Sequence, residues 1–438
     1  MPSRIPAGTS RAGGDVVPPG QVAGLRCGEC RAGSTRRSVL AQCLARPTMI
    51  SFDAAQASYA EHVQPLPSEP LPTAAASGRV LRADAVAAVD LPRFDQSAMD
   101  GYAIRHQDAP GRLPLQGRAE AGGAAPVLEP GSCVRILTGA PLPAGADTVV
   151  PQEQVESDAR RVRFVDGAQP GRHIRKRAEE VAAGQRIAEA GQRLSPGGVA
   201  ALCAAGVASV EVTRLPRVTV LVTGDEVVPA GLPLSDSATP DANGPLITAW
   251  LRAAGVADLQ TVAVADTRQA VDRALAEALD QSDLVITSGG ASVGDRDFIP
   301  EAADAAGLIR HFWKVAQKPG KPLLFASRGP QVLLALPGNP ASVHLGLQLH
   351  LRSILARLAG DASPALPWQW GRLDARPTLK GDRPLFARAR AHHDPAQPPR
   401  LDLLPGQGSH RLGNLLSANA LVRLEPDDTG PWAAYLPI

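Results

Sequence analysis

The residues in this 438-residue chain best suited to holding an anion fall in a few short segments. They are Thr223-Gly224-Asp225-Glu226, then Asp266, then Ser288-Gly289-Gly290-Ala291-Ser292-Val293-Gly294-Asp295-Arg296-Asp297, then Lys314 and Lys318-Pro319-Gly320-Lys321. Glycines let backbone N–H groups approach an anion closely, and successive N–H groups can form an anion nest. Lysines are point-charge partners for phosphate or another oxyanion, here on a loop that Pro319-Gly320 constrains. Carboxylates in such a place have a further use, because hard oxygen ligands hold Mg²⁺ and Mg²⁺ bridges phosphate oxygens. Each piece also has a plainer use. Asp266 can cap a helix, Lys318 and Lys321 can be solvated turn residues, Ser288-Gly289-Gly290 can be a tight strand-to-helix turn, and Glu226 a surface carboxylate.

The elements that carry these segments favour the site. Residues 218–222 are a continuous apolar run with β-branching, the pattern of a buried strand. Residues 245–254 read as a helix closed by Gly255, 259–265 as a strand, and Val271, Leu275, Ala278 and Leu279 recur at helical spacing. Residues 284–287 and 332–336 are further apolar strands; the last ends in Pro337-Gly338-Asn339-Pro340 and leads into a long helix reaching about residue 358. Alternating strands and helices predict a parallel, doubly wound sheet over 216–361. Ligands of such sheets bind beyond the carboxyl ends of the strands, and the segments above lie there, on one edge.

The flanking sequence differs. Residues 93–175 and 362–438 carry short apolar runs between Gly and Pro, the pattern of small β domains. Residues 49–92 and 176–215 are mixed, with Ser51 placed to cap a first helix and another helix near 196–205. The expected fold class is multidomain α/β plus β. A central doubly wound domain is flanked by a small β domain, a mixed linker domain and a C-terminal small β-barrel-like domain. Residues 1–48 lack periodicity and read as a disordered leader.

Composition narrows the function classes. A net charge of +2 and 3% aromatic content argue against general nucleic-acid binding, a membrane-surface protein or a base-stacking platform. No run of 18 apolar residues exists. Five dispersed cysteines give no disulfide framework, which points to a reducing cytoplasm, and Cys27-x-x-Cys30 has no second pair to complete a zinc site.

Two earlier segments complete the set: Ser97-Ala98-Met99-Asp100-Gly101-Tyr102-Ala103, which by itself reads as an Asp-Gly turn, and the Pro/Gly-rich stretch 137–147. In order along the chain, 97–103, 137–153, 223–226, 288–297, 314–322 and 336–340 together resemble the MoeA/gephyrin family of molybdopterin molybdenumtransferases. The likeness runs from about residue 50 to the end. The resemblance implies a MoaB/MogA-like central domain and the last step of molybdenum cofactor synthesis. Adenylylated molybdopterin is bound, molybdate enters at the dithiolene, and AMP leaves with Mg²⁺ assistance. It implies that Glu226, Asp266 and Asp297 surround the metal, and that Lys314 and Lys318 hold phosphate or molybdate. Gly289, Gly290, Ser292 and Gly294 would line the pterin-phosphate pocket, with Thr223, Gly224, Ser288, Lys321, Pro337, Gly338 and Asn339 also on the substrate. Asp100 and Glu180 match acidic active-site positions, and Arg388 and Ser409 match functional positions of the C-terminal domain. It also implies a homodimer in which Asp100 acts across the interface, a molybdopterin adenylyltransferase upstream, and molybdoenzyme apoproteins as recipients.

Two departures stand out. Where the family shows Arg-x-x-Gly-Glu-Asp, this chain has Arg175-Lys176-Arg177-Ala178-Glu179-Glu180; where it shows a Tyr-Asp-Ser-Asn segment, this chain has Pro240-Asp241-Ala242-Asn243. They keep open a catalytically weakened homologue that binds molybdopterin as a carrier or scaffold. A third reading, an enzyme that adenylylates molybdopterin, is opposed by the flanking β domains.

Overall fold

The computed structural model describes residues 49–158, 160–291, 294 and 297–438. The leader, the Cys27/Cys30 pair and Ser292 lie outside the described residues.

The first helix, α1 (Phe52–His62), starts where expected, with Ser51 Oγ accepting from the Ala54 N–H at 3.1 Å. The sequence pattern groups it with the mixed linker. Its apolar face instead packs into the central domain: Phe52, Ala55 and Tyr59 share one core with Val220, Ile286, Phe312, Phe325 and Leu334. Ile50 pairs with Val315 as a parallel strand beside it.

Residues 101–164 form a six-stranded sheet in the order Thr148–Pro151, Gly101–Ile104, Cys133–Ile136, Gly111–Ala119, Arg161–Phe164, Val155–Ser157. Ala103, Val134, Ile136 and Val149 pack in one cluster, and Tyr102, Ile104, Leu113 and Phe164 in another. The chain then returns to the linker, where Ser68–Pro72 pairs antiparallel with Ser209–Thr213. Ser195 caps the helix Pro196–Ala204.

The central sheet is built from β1 (Val218–Thr223), β2 (Leu259–Val264), β3 (Leu284–Ser288), β4 (Ile309–Trp313), β5 (Leu324–Arg328) and β6 (Gln331–Leu336), in the order β2-β1-β3-β6-β5-β4. The pairs β1/β2, β1/β3 and β3/β6 are parallel, as the alternation predicts. β5 is antiparallel to both β6 and β4, so the sheet is mixed rather than all-parallel. Both faces are covered. On one, α2 (Asn243–Ala253) joins α1. On the other lie α3 (Arg268–Gln281) and α4 (Ile299–Ala305), with Val271, Leu275 and Leu279 packed on Leu221, Val285 and Leu333. Every residue of β1 and β3 is buried, which is why these strands read as unbroken apolar runs; each fully buried large side chain contributes about 1.5–3 kcal/mol.

At the amino-end edge, Asp283 ties β1 to β3. It accepts from Arg214 at 2.7 and 2.6 Å and from the Arg217 N–H at 2.9 Å. Burial would raise its carboxyl, but the hydrogen bonds from Arg214 and Arg217 outweigh it and bring the pKa down to about 2.

After β6 the chain continues through α5 (Pro340–Gly346), a wider π-type turn Leu347–Leu351, and α6 (Arg352–Leu358). The C-terminal strands Gln369–Leu373, Gln397–Leu403, Leu385–Asp394, Ala420–Leu424 and Trp432–Pro437 close a five-stranded barrel in that order.

Candidate functional site

The carboxyl ends of β1, β2, β3 and β6 surround a cavity of about 670 Å³, within the range of small-molecule sites. It gathers Thr223, Gly224, Glu226, Asp266, Ser288, Gly289, Gly290, Asp297, Gly338 and Asn339 from the expected set. Two residues of the barrel region, His410 and Leu412, complete its wall.

Sterics select the glycines of the floor. Gly289 has φ +91°, and a Cβ there would lie 2.6 Å from Thr223 Oγ1; Gly290 has φ +67°, and a Cβ would lie 2.9 Å from the Ile299 side chain. Thr223 Oγ1 donates to the Ser288 carbonyl at 3.2 Å, and the Gly289 N–H donates to the Leu336 carbonyl at 3.2 Å, stitching β1, β3 and β6 beneath the cavity.

Two oxygens in this floor are buried with no hydrogen-bond partner among the described residues: Ser288 Oγ and Asn243 Oδ1. Asn243 is held by its amide, which donates to the Gly338 carbonyl at 2.7 Å. Asp241 accepts from the Asn243 and Gly244 N–H groups, both at 2.9 Å, and so anchors the start of α2. Buried polar atoms in native proteins are normally paired; these two belong to residues that line the cavity.

The carboxylates sit above the floor. Asp225 and Asp266 clasp reciprocally: the Asp225 N–H donates to Asp266 Oδ2 at 3.3 Å and the Asp266 N–H to Asp225 Oδ1 at 3.1 Å. Asp266 is not the cap of α3; Thr267 is, its side chain accepting from the Ala270 N–H. Asp297 accepts from the Gly294 N–H at 2.7 Å and shapes the glycine loop. Among the described residues, no three of His, Cys, Asp and Glu gather closely enough to hold a metal ion by themselves. Glu226, Asp266 and Asp297 all line the cavity but do not form a closed protein cage; Mg²⁺ sites commonly use only one or two carboxylates, with phosphate and water completing the shell.

The lysines stand outside the cavity wall. Lys314 follows β4, at φ +87°, with its ammonium 4.8 Å from the Trp313 ring centroid. Trp313 Nε1 donates to the Ala291 carbonyl at 2.8 Å, so this lysine adjoins the glycine loop. Lys318 Nζ donates to the Lys380 carbonyl beside the barrel, and Lys321 is exposed. Pro337 is buried beneath the turn, whose Asn339 carbonyl accepts from the Ser342 and Val343 N–H groups.

Arg388 is engaged by backbone carbonyls of its own chain. It is 3% exposed, and its guanidinium donates to the carbonyls of Arg411, Gly406 and Gly408 at 2.8–3.1 Å. The Gln407 side chain bonds the Arg388 N–H and carbonyl in return. This locks the 405–412 loop to the barrel, and the Ser409 carbonyl accepts from the Ala341 N–H at the start of α5. The lock places His410 on the cavity. Sequence reasoning missed His410 and Leu412; their adjacency to Ser409 was the only signal.

Asp100 and Glu180 lie elsewhere in the chain. Asp100 is exposed and accepts from the Thr138 N–H at 2.7 Å and hydroxyl at 2.8 Å; those bonds hold its carboxyl below the usual range. Glu180 is exposed at a separate hollow with Leu91, Arg93, Gln96 and Arg175. The departures are visible in backbone terms. Ala178 has φ +60°, a left-handed conformation that suits glycine, and Pro240 lines the cavity.

Fold and cavity together define a multidomain protein built around a doubly wound α/β domain with a ligand-sized hollow at its carboxyl edge. Three family models match in order: MoeA N-terminal region (domain I and II) at residues 50–206, probable molybdopterin binding domain at 219–357, and MoeA C-terminal region (domain IV) at 371–433. The chain is 32% identical over 384 residues to the molybdopterin molybdenumtransferase of Nostoc sp., covering 81% of this chain and 84% of that one. It is 32% identical over 385 residues to that of Haemophilus influenzae (86% and 95% covered). It is 34% identical over 370 residues to molybdopterin molybdenumtransferase 2 of Mycobacterium tuberculosis (82% and 91% covered). A solved structure of a molybdopterin biosynthesis MoeA protein from Pyrococcus horikosii superposes with a TM-score of 0.73 at 25% identity, over 89% of this chain and 99% of that one. The chain belongs to the molybdopterin molybdenumtransferase family.

Proposed function

We propose that this protein is a molybdopterin molybdenumtransferase acting in molybdenum cofactor biosynthesis, which inserts molybdate into adenylylated molybdopterin and releases AMP. The observation that carries the reading is the cavity itself, about 670 Å³ and lined by Gly289, Gly290, Glu226, Asp266 and Asp297, with Ser288 Oγ and Asn243 Oδ1 lacking a hydrogen-bond partner among the described residues. A polar, nucleotide-sized substrate fits that volume and lining.

In this reading the 288–297 segment receives the pterin-linked phosphates, with Gly289, Gly290 and Gly294 offering close backbone approach and Ser292 assigned to the same pocket by the family resemblance alone. Glu226, Asp266 and Asp297 would be the residues to hold Mg²⁺, which would supply charge compensation for the phosphoanhydride. Lys314, Lys318 and Lys321 attract phosphate and the molybdate dianion, with Lys318 exchanging its carbonyl contact for the oxyanion. Arg388 positions the loop bearing Ser409 and His410 rather than touching the reacting atoms. Asp100, fixed by Thr138, completes the site from the other subunit of a homodimer, and Glu180 belongs to the same partner-facing region. The boundaries 49–92 with 176–215, 93–175, 216–361 and 362–438 serve as the working domain division, with α1 attached to the third. A molybdopterin adenylyltransferase supplies the substrate and molybdoenzyme apoproteins accept the product in the cytoplasm. No described helix is long and apolar enough to cross a membrane.

The strained Ala178 and the cavity-lining Pro240 favour a second reading, a molybdopterin carrier with weakened turnover. Substrate binding and turnover measured side by side separate the two. Tight binding with no AMP formed supports the carrier; turnover that falls sharply in Lys318→Ala supports the enzyme, and an unchanged rate removes that lysine from the mechanism.

A further inference from the structure

Behind the 318–321 loop runs a buried polar chain that lies outside the cavity. Tyr59, Gln317 and His350 are each 0% exposed, among the rings of Phe52, Phe312 and Phe325. Tyr59 Oη lies 2.8 Å from His350 Nδ1, His350 Nε2 lies 2.9 Å from Gln317 Oε1, and Gln317 Nε2 donates to the Gly320 carbonyl at 3.1 Å.

The proton positions in this chain are forced. The Gln317 amide nitrogen is the donor to Gly320, so its oxygen must accept, and His350 Nε2 carries the hydrogen. His350 Nδ1 is then an acceptor, and the Tyr59 hydroxyl donates to it. Burial keeps both groups in those forms: it pushes His350 down to about 3 and Tyr59 well above its ordinary value. Every bond in the chain therefore runs one way, from α1 through the π-type turn to the carbonyl of Gly320.

That carbonyl belongs to the loop between Lys318 and Lys321. Gly320 has φ +82°, and a Cβ there would lie 3.2 Å from Gln317 Nε2. From the other side the barrel grips the same loop: the Lys318 N–H donates to Pro384 at 2.9 Å, Phe386 N–H to Lys318 at 2.8 Å, and Arg383 to the Gln317 carbonyl at 3.1 Å. A buried polar chain is costly unless fully paired and rigidifies what it joins when it is.

We infer that Gln317, backed by His350 and Tyr59, is a positioning device that fixes the 318–321 loop so that its lysines meet the anionic substrate. The relay stands on its own geometry; only the identity of the anion, molybdate or substrate phosphate, rests on the molybdenumtransferase reading. Gln317 touches no reacting atom in this account.

The test uses the full chain with Gln317→Leu, His350→Phe and Tyr59→Phe. Hydrogen exchange is followed by mass spectrometry, and the molybdate dependence of AMP release is measured alongside. Exchange in a peptide covering 317–323 is expected to rise about tenfold in Gln317→Leu, less in His350→Phe and least in Tyr59→Phe, while a β6 peptide keeps its parental rate. The molybdate KM is expected to rise about fivefold in Gln317→Leu with kcat within about twofold. Should Gln317→Leu not fold, Tyr59→Phe, which removes one oxygen, carries the test with a threefold rise in loop exchange. Unchanged loop exchange, or an equal rise in loop and β6, overturns the positioning role. Graded exchange with an unchanged molybdate KM overturns the assignment of molybdate to this loop. Graded exchange among the variants, with a parental protein that never forms AMP, sinks the enzyme reading and leaves the relay standing.

Discussion

Replacing Gly289 by alanine tests the link between the sheet and the cavity floor. At φ +91° the new side chain sits in a backbone conformation that costs an L-residue about 1–2 kcal/mol. The restriction of the unfolded chain returns about 0.4–1 kcal/mol. The added Cβ would also fall 2.6 Å from Thr223 Oγ1 and 3.2 Å from the Thr223 carbonyl. The hydroxyl must then leave the Ser288 carbonyl, giving up a buried hydrogen bond that contributes about 1 kcal/mol and a further 1–3 kcal/mol if either partner stays unpaired. The expected loss is about 1–3 kcal/mol, rising to about 2–6 kcal/mol if a partner stays unpaired. Gly338→Ala is the control, because its Cβ would meet only Gly289 Cα at 3.8 Å and its φ is not positive. Urea unfolding followed by circular dichroism gives both values, with unchanged slopes required for the comparison. Binding of molybdopterin should weaken in Gly289→Ala as well, since the floor must shift. A Gly289→Ala protein within 0.5 kcal/mol of the parent would refute the steric reasoning.

Three further outcomes follow from particular contacts. Asp283 has a folded pKa of about 2 against 3.8 unperturbed, so its carboxylate contributes about 2 kcal/mol that is fully present above pH 4 and lost as pH falls from about 4 to 2. In Asp283→Asn that acid-dependent part of the urea midpoint should disappear, while substrate KM, read at the opposite edge of the sheet, stays unchanged. Ala178→Gly relieves the positive φ and should stabilise by up to about 1 kcal/mol in the same unfolding assay; destabilisation would contradict the strain. Arg388→Met removes the donors to Gly406, Gly408 and Arg411; it should speed proteolytic cleavage within 405–412 several-fold and raise substrate KM, and an uncut, fully active variant would remove Arg388's positioning role.

The glycines and carboxylates of the cavity were legible because their requirements are local: a buried strand shows as an unbroken apolar run, and the turn after it needs residues free to adopt positive φ. Ser51 as a cap was legible for the same reason. The partner of α1 was not, since an amphipathic helix states which face is buried and not against what; Phe52 and Tyr59 meet Phe312 and Phe325 across some 250 residues of chain. The edge strand β4 was missed because its short run Ile309–Trp313 carries charged and polar residues, and its neighbour β5 because a five-residue run, Leu324–Arg328, gives little periodicity to read. The family resemblance pointed to Arg388 but could not give its partners, three carbonyls 18 to 23 positions away. Asp266 shows the converse: a helix-cap reading was reasonable, and the neighbouring Thr267 takes that role instead.

The most direct test of the account incubates the purified protein with adenylylated molybdopterin, Mg²⁺ and molybdate, and measures AMP by chromatography with molybdate present or omitted. AMP is expected to form only when molybdate is present, and to fall at least tenfold when Asp266 or Lys318 is replaced by alanine. Tight substrate binding without AMP, or AMP release indifferent to molybdate, would contradict it.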